Sequence, residues 1–165
     1  MASHVLVVAT VTAASDDLLA ALQERATRGA VDFLLVMPAT GPGLAGRREV
    51  EPRLEEALER WREAGLRAKG VAGPDNPVEA VSEICEPGRF DEVIVSTLPG
   101  ATSRWLRSDV PYRIGHITDL PVTHVVAMSM AKKLPEPTEA PRREREPLSL
   151  LNVMAYSGSR RPSEH

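Results

Sequence analysis

The sequence is short of cysteine, of long apolar runs and of charge of one sign, and each shortage excludes a class. Cys85 stands alone, so neither an intramolecular disulfide framework nor a cysteine-based zinc site can form, and a reducing cytoplasm is the expected compartment. No apolar run approaches the ~20 residues that span a bilayer, and Met1-Ala2-Ser3-His4 enters an apolar stretch without a basic leader. Neither a membrane protein nor a secreted precursor is expected. The 20 Lys plus Arg against 23 Asp plus Glu leave a formal charge of -3, which gives no general reason to bind nucleic acid or an acidic membrane.

Several motifs that carry chemistry are also missing. There is no G-x-x-x-x-G-K-[ST] phosphate loop and no G-x-S-x-G nucleophile elbow. His4, His116, His124 and His165 are scattered without metal-ligand spacing. His124 falls in an apolar strand and reads as a satisfied structural histidine, and Cys85 shares a helix face with Val78 and Val81, the pattern of inert packing. No residue presents itself as a catalyst.

What is present is an alternation of strands and helices. The 165 residues suffice for one domain that buries about two-thirds of its unfolded surface. Residues 4–9, 31–37, 91–96 and 122–127 are short apolar runs rich in β-branched residues, the pattern of strands buried on both faces, and residues 68–72 add a shorter one. Between them lie helical stretches. Ser15 is placed to cap a helix carrying Leu18, Leu22 and Ala26. Pro52 is placed to open one whose Leu54, Leu58 and Trp61 share a face, with Glu56–Arg60 and Glu59–Arg62 spaced to pair outside. Asn76-Pro77 begins a third, and a last stretch includes Pro111. Such alternation demands a parallel sheet covered on both faces. Ligands then bind beyond the carboxyl ends of the strands, which directs attention to residues 10–15, 37–46, 73–76 and 96–109.

The chain after residue 130 has a different character. Residues 131–165 hold seven cations, five acids and five of the 14 prolines, leaving 13 cations and 18 acids in residues 1–130. That density of proline and charge is expected to leave the extension mostly disordered. An apolar island at residues 148–156 interrupts it, a segment suited to dock on its own domain or on a protein partner.

Gly41-Pro42-Gly43-Leu44-Ala45-Gly46 spells G-x-G-x-x-G between a strand and a helix, the outline of a nicotinamide-dinucleotide fingerprint. Three details weigh against it. Pro38, Ala39 and Thr40 separate it from its strand, Pro42 lacks a donor where pyrophosphate would approach, and the acid wanted ~20 residues later falls inside a helix. The alternative is a loop or lid.

The last third carries a resemblance. Asp91-Glu92-Val93-Ile94-Val95-Ser96-Thr97-Leu98-Pro99-Gly100, then Ser103-Arg104, Ser108-Asp109-Val110 and finally Pro121-Val122-Thr123-His124-Val125-Val126, resembles the end of a universal stress protein domain, with Gly73 to Val81 similar to that family's G-x-P-x-x-A-I signature. The resemblance covers about residues 4–128. It implies a five-stranded parallel sheet of order 3-2-1-4-5 with helices on both faces, the arrangement shared with adenine nucleotide alpha hydrolases. It also implies a homodimer joined through the last strand and, in one branch, ATP or another adenine nucleotide at the ends of strands 1 and 4. Residues 122–127 support the dimer independently, since an apolar edge without Lys, Pro or inward charge invites pairing.

The implied pocket comprises Thr10, Met37, Thr97, Gly100, Ser103, Arg104, Ser108 and Asp109. Several of these depart from the family pattern. Thr10 stands where a carboxylate normally ends strand 1, Ser96 and Leu98 or Pro99 replace loop glycines, and Ser108 replaces the glycine before the last helix. Gly100 alone keeps the loop permissive, and Asp109 in place of a hydroxyl residue is expected to cap that helix but repel phosphate. Arg104 and Arg107 can meet an anion or stand as solvated charges. The expected function is a non-enzymatic regulatory or stress-response module with weak or absent ATP binding. Two alternatives stay open: an ATP-binding member with slow hydrolysis, and a nicotinamide-dependent enzyme.

Overall fold

The computed structural model describes residues 2–100 and 103–132, within a compact unit of Met1–Lys133. Its sheet is built from the apolar runs. β1 (Ser3–Val8), β2 (Val31–Pro38), β3 (Arg67–Gly73), β4 (Glu92–Thr97) and β5 (Val122–Val126) lie parallel in the order β3-β2-β1-β4-β5. β1 pairs β2 from Ser3↔Val31 to Val8↔Val36 and pairs β4 from Val5↔Glu92 to Val8↔Val95. The order reverses at β1 and β4, which opens a crevice beyond their carboxyl ends.

Alternate residues of each strand face opposite helical layers. Val5, Val7, Phe33, Leu35 and Ile94 pack with α1 (Asp16–Ala26) and α2 (Gly43–Glu63), through Leu18, Leu22, Val50, Leu54, Leu58 and Trp61. Leu6, Val8, Val36, Val93 and Val95 pack with α3 (Pro77–Ile84) and α5 (Val110–Thr118), through Ala80, Val81, Val110 and Ile114. Both faces of β1 are sealed. That is why its run is continuously apolar rather than alternating. The sheet order and the two helical layers are those that the resemblance implies.

Local chemistry starts most helices where the sequence predicts. Ser15 Oγ accepts from the Leu18 amide at 3.2 Å, and Asn76 Oδ1 accepts from Val78 and Glu79 at 2.9 and 3.3 Å, each cap satisfying donors that the first turn leaves free. α2 is the exception. It begins at Gly43, nine residues before Pro52, and holds that proline in its interior. Val50, fully buried, extends the Leu54–Leu58–Trp61 stripe by one turn, and the burial it gains offsets the hydrogen bond that Pro52 removes. The outer pairs predicted along α2 give way to longer ones. Arg60 donates to Asp16 and to the Ala14 carbonyl, and Arg62 donates twice to the Ala68 carbonyl.

A short four-residue helix, α4 (Arg104–Arg107), precedes α5, and a 3₁₀ turn, Met128–Lys132, follows β5. The Ser129 amide and hydroxyl donate to Asp17 Oδ2 at 2.8 and 2.6 Å, which ties the start of this turn to α1. The extension beyond residue 132, with its island at 148–156, lies outside the described residues. These Ser129 bonds hold the Asp17 carboxyl below the usual carboxylate range. A carboxylate with a depressed folded pKa contributes stability above the ordinary value, about pH 4, and loses it as pH falls further. The Ser129 amide resonance is therefore expected to move on acidification from pH 6 to pH 3, and to sit at its acid position at all pH values in Asp17→Ala. Because the site is open to solvent, Tm should change little. A Ser129 resonance indifferent to both changes would show the latch to be absent in solution.

Among the described residues no helix is long and apolar enough to cross a membrane, and no group of three His, Cys, Asp or Glu side chains is placed to hold a metal ion.

Candidate functional site

At the carboxyl ends of β1 and β4 lies a cleft of about 730 Å³, within the roughly 300–1,000 Å³ of small-molecule sites. Its floor is made where strands give way to loops. After β1 the chain turns through residues 10–15, with the Ala13 amide on the Thr10 carbonyl at 3.1 Å and the Ser15 amide on the Thr12 carbonyl at 3.0 Å. This turn rests on α2, where the buried Trp61 indole donates to the Ala13 carbonyl at 3.1 Å. Pro38, Ala39 and Thr40 leave β2, and Asp75 to Pro77 lead into α3. The opposite wall is Ser96, Thr97 and Leu98, then Ser103 to Trp105, Ser108, Val110 and Arg113.

Five of the eight residues implied by the resemblance line this cleft: Thr10, Thr97, Ser103, Arg104 and Ser108. Three do not. Met37 is fully buried in the core beneath α1 and α2, because β2 continues in register to Pro38↔Gly73 and keeps it inside the sheet. Gly100 is exposed beside the cleft with φ +54°, the left-handed conformation that favours glycine. Asp109 also lies outside the lining and corrects the expectation of a cap: its backbone is left-handed (φ 52°, ψ 39°) and its side chain makes no capping bond. A cap requires extended backbone at that position. The positive φ thus falls on the aspartate, one residue after the serine that the resemblance aligns with glycine. Aspartate tolerates that region better than most side chains.

The polar groups divide into occupied and unoccupied. Ser103 Oγ accepts from the Leu106 amide at 3.2 Å, and Thr97 Oγ1 lies 2.7 Å from His124 Nε2. Burial pushes the His124 pKa down, so the neutral imidazole can accept the Thr97 proton. Thr12 Oγ1 and Ser96 Oγ are different. Both are buried in the cleft lining with no hydrogen-bond partner among the described residues, a condition that costs about 1–3 kcal/mol per group unless something satisfies it. Arg53, Arg104 and Arg113 line the same cleft, with Asp75 as the lining carboxylate.

Sequence reasoning missed Arg53 and Arg113 because they belong to helices remote from the strand ends in sequence. Thr12 and Asp75 lay inside searched segments without a pattern to distinguish them. Arg107 is exposed and away from the lining. Cys85 is half-buried against the α3–α5 core and its thiol pKa is raised by burial, the inert state expected of it.

The Gly41–Gly46 segment forms no open loop or lid. Gly43 starts α2, the Thr40 hydroxyl donates to Glu49, and a β-carbon on Gly46 would meet the Gly41 carbonyl at 2.0 Å. The glycines close on each other, which explains their presence without a pyrophosphate.

No protein-family model matches the chain, and no curated protein matches it. Solved structures do. A universal stress protein in complex with cAMP aligns with a TM-score of 0.53 and 21% identity, over 76% of this chain and 98% of that one. A universal stress protein from Archaeoglobus fulgidus aligns with the same TM-score and coverages at 17% identity. At such identities the likeness is one of architecture, and with the strand order it establishes that this chain has the universal stress protein fold.

Proposed function

We propose that this chain is a divergent universal stress protein-like module of the cytoplasm that acts by binding rather than catalysis. In this reading the cleft takes a ligand with a single phosphate, ATP binds weakly or not at all, and two copies associate along β5. The observation that carries the reading is the pair of unpartnered buried hydroxyls, Thr12 Oγ1 and Ser96 Oγ, in a cleft rimmed by three arginines. One compact anion can satisfy the arginines, whereas the two hydroxyls, closed to solvent, meet a ligand oxygen only when the turn covering them shifts.

ATP is disfavoured by what the end of β4 and the loop after it lack. Ser96 and Leu98 stand where glycines would let the backbone approach phosphates, and Pro99 has no N–H to offer. Each lost contact costs about 1–3 kcal/mol, together roughly 10³-fold in affinity. Asp75 supplies the cleft with a carboxylate able to accept charge-assisted bonds from ribose hydroxyls, which the neutral Thr10 hydroxyl cannot match. The solved neighbour holding cAMP supports a monophosphate in this architecture.

A thermal-shift series with ATP, ADP, AMP, cAMP and NAD tests the reading. ATP at about 1 mM should add no more than about 0.4 kcal/mol, the yield of a millimolar site at that concentration. AMP or cAMP should raise Tm clearly, and Arg104→Ala with Arg113→Ala should abolish the rise. Micromolar stabilisation by ATP would overturn the weak-ATP assignment, and indifference to every nucleotide would remove the monophosphate.

A further inference from the structure

We propose that a second site, for an amphipathic carboxylate, lies at the opposite end of the sheet on the face that α3 leaves bare. The opening follows from a mismatch of helix lengths. α2 spans 21 residues and covers one face of β2 and β3 from end to end, whereas α3 spans eight. Ala80 of α3 sits directly over Gly73, at the carboxyl end of β3. Beyond Ile84 the chain turns away through Glu86-Pro87-Gly88 and returns beside β1, where the Asp91 amide donates to the His4 carbonyl at 2.8 Å. Among the described residues α3 does not extend over the amino-terminal halves of β2 and β3 on this face, where Leu34 is only partly buried and Lys69 is exposed.

A cavity of about 670 Å³ opens at this end of the sheet, lined on this face by Leu34 and Phe90, with Phe33, Leu66 and Ala68 from the core beneath α1 and α2 completing its apolar lining. Its charged groups are nearly all of one sign. Asp32 is the acid, and Arg67 neutralises it, Nε to Oδ1, at 2.8 Å. His4 Nδ1 lies 4.0 Å from the same carboxylate. Among the described residues Arg62, Lys69 and Arg89 have no ion-pair partner. Arg62 donates to the Ala68 carbonyl. Arg89 spends one of its donors on the Ile84 carbonyl at 3.2 Å, with its guanidinium 5.3 Å above the Phe90 ring. Lys69 has no carboxylate partner among the described residues.

Residues 1–130 hold 13 cations and 18 acids, so this concentration of positive charge runs against the character of the domain. An apolar floor beneath a cationic rim fits a ligand with the same division: an acyl or aryl body with a carboxylate head, the head meeting Lys69 and the free part of the Arg89 fork. The site lies at the β3 edge, and β5 is the opposite edge, so pairing along β5 leaves it open.

The test uses the ¹⁵N-labelled full chain titrated with decanoate below its micelle concentration, with decyltrimethylammonium as the cationic counterpart. Decanoate should shift the amides of Leu34, Lys69 and Phe90 in a saturable way and leave Thr10 and Ser96 unmoved, while the cationic analogue binds at least tenfold more weakly. Lys69→Glu with Arg89→Glu, both exposed positions, should weaken decanoate at least tenfold and preserve the remaining spectrum. Equal binding of the two amphiphiles, shifts centred on Thr10 and Ser96, or unchanged affinity in the double variant would each overturn the proposal. Shifts at Leu34 and Lys69 that follow protein concentration without added decanoate would overturn it in favour of a second copy as occupant.

Discussion

Trp61→Ala is expected to be the most damaging single substitution in the described domain, lowering stability by about 3–5 kcal/mol. Trp61 is fully buried and is the largest side chain in the core beneath α1 and α2. It is also the point at which that core supports the cleft, because its indole N–H carries the Ala13 carbonyl in the turn that presents Thr10 and Thr12. Against a typical domain stability of about 5–15 kcal/mol, the alanine variant should be near its unfolding threshold at 37 °C. Trp61→Phe separates the two roles: it keeps most of the apolar volume and removes the donor, so it should cost about 1–3 kcal/mol. The reduced stability would be read by chemical denaturation. The loosened turn would be read as weaker nucleotide binding than in a variant of equal stability made elsewhere, such as Leu54→Ala. A Trp61→Phe protein with unchanged stability would show that water satisfies the Ala13 carbonyl and that the indole does not hold the turn.

How far the sequence discloses this arrangement depends on whether a signal is local. β1 is legible because both its faces are buried, so residues 5–9 are apolar without interruption. The caps at Ser15 and Asn76 are legible because one side chain meets amides two or three residues away. Pro52 misleads for the same local reason: proline favours a first turn, and only the core contact of Val50 shows that α2 has already begun. The cleft is half legible. Thr10, Thr97 and Ser103 follow from order along the chain. Arg53 and Arg113 arrive from helices whose packing angles no residue spacing records, and the isolation of Thr12 Oγ1 and Ser96 Oγ is a property of their surroundings, not of their identity. Met37 shows the converse. It ends an apolar run and so looks like the lip of a pocket, but β2 extends one residue further, and that residue decides on which side of the surface it lies.

Association along β5 should respond to one substitution more strongly than to any other, and backbone direction identifies which. The Ala127 amide donates inward to the Thr97 carbonyl at 2.9 Å, so by strand alternation the amide of residue 126 points away from β4. Val126→Pro therefore removes an outward donor while leaving the β4 ladder intact, and proline is tolerated on an edge strand. Val125→Lys is a less selective probe, since Val125 packs against the core beneath α1 and α2. Sedimentation or light scattering should give a dimer mass for the unchanged chain and a monomer mass for Val126→Pro, with helix content preserved by circular dichroism. His124 adds a pH dependence. Burial already depresses its pKa, and a partner strand would exclude more water from it. If association lowers the pKa further, the dimer keeps its full stability above the monomer's already lowered value and loses it as pH falls through that value. The dimer should therefore weaken on acidification below about pH 6.5, and His124→Asn should flatten that dependence. A monomer mass for the unchanged chain at micromolar concentration would overturn the dimer, and a dimer that survives Val126→Pro would place the contact on another surface.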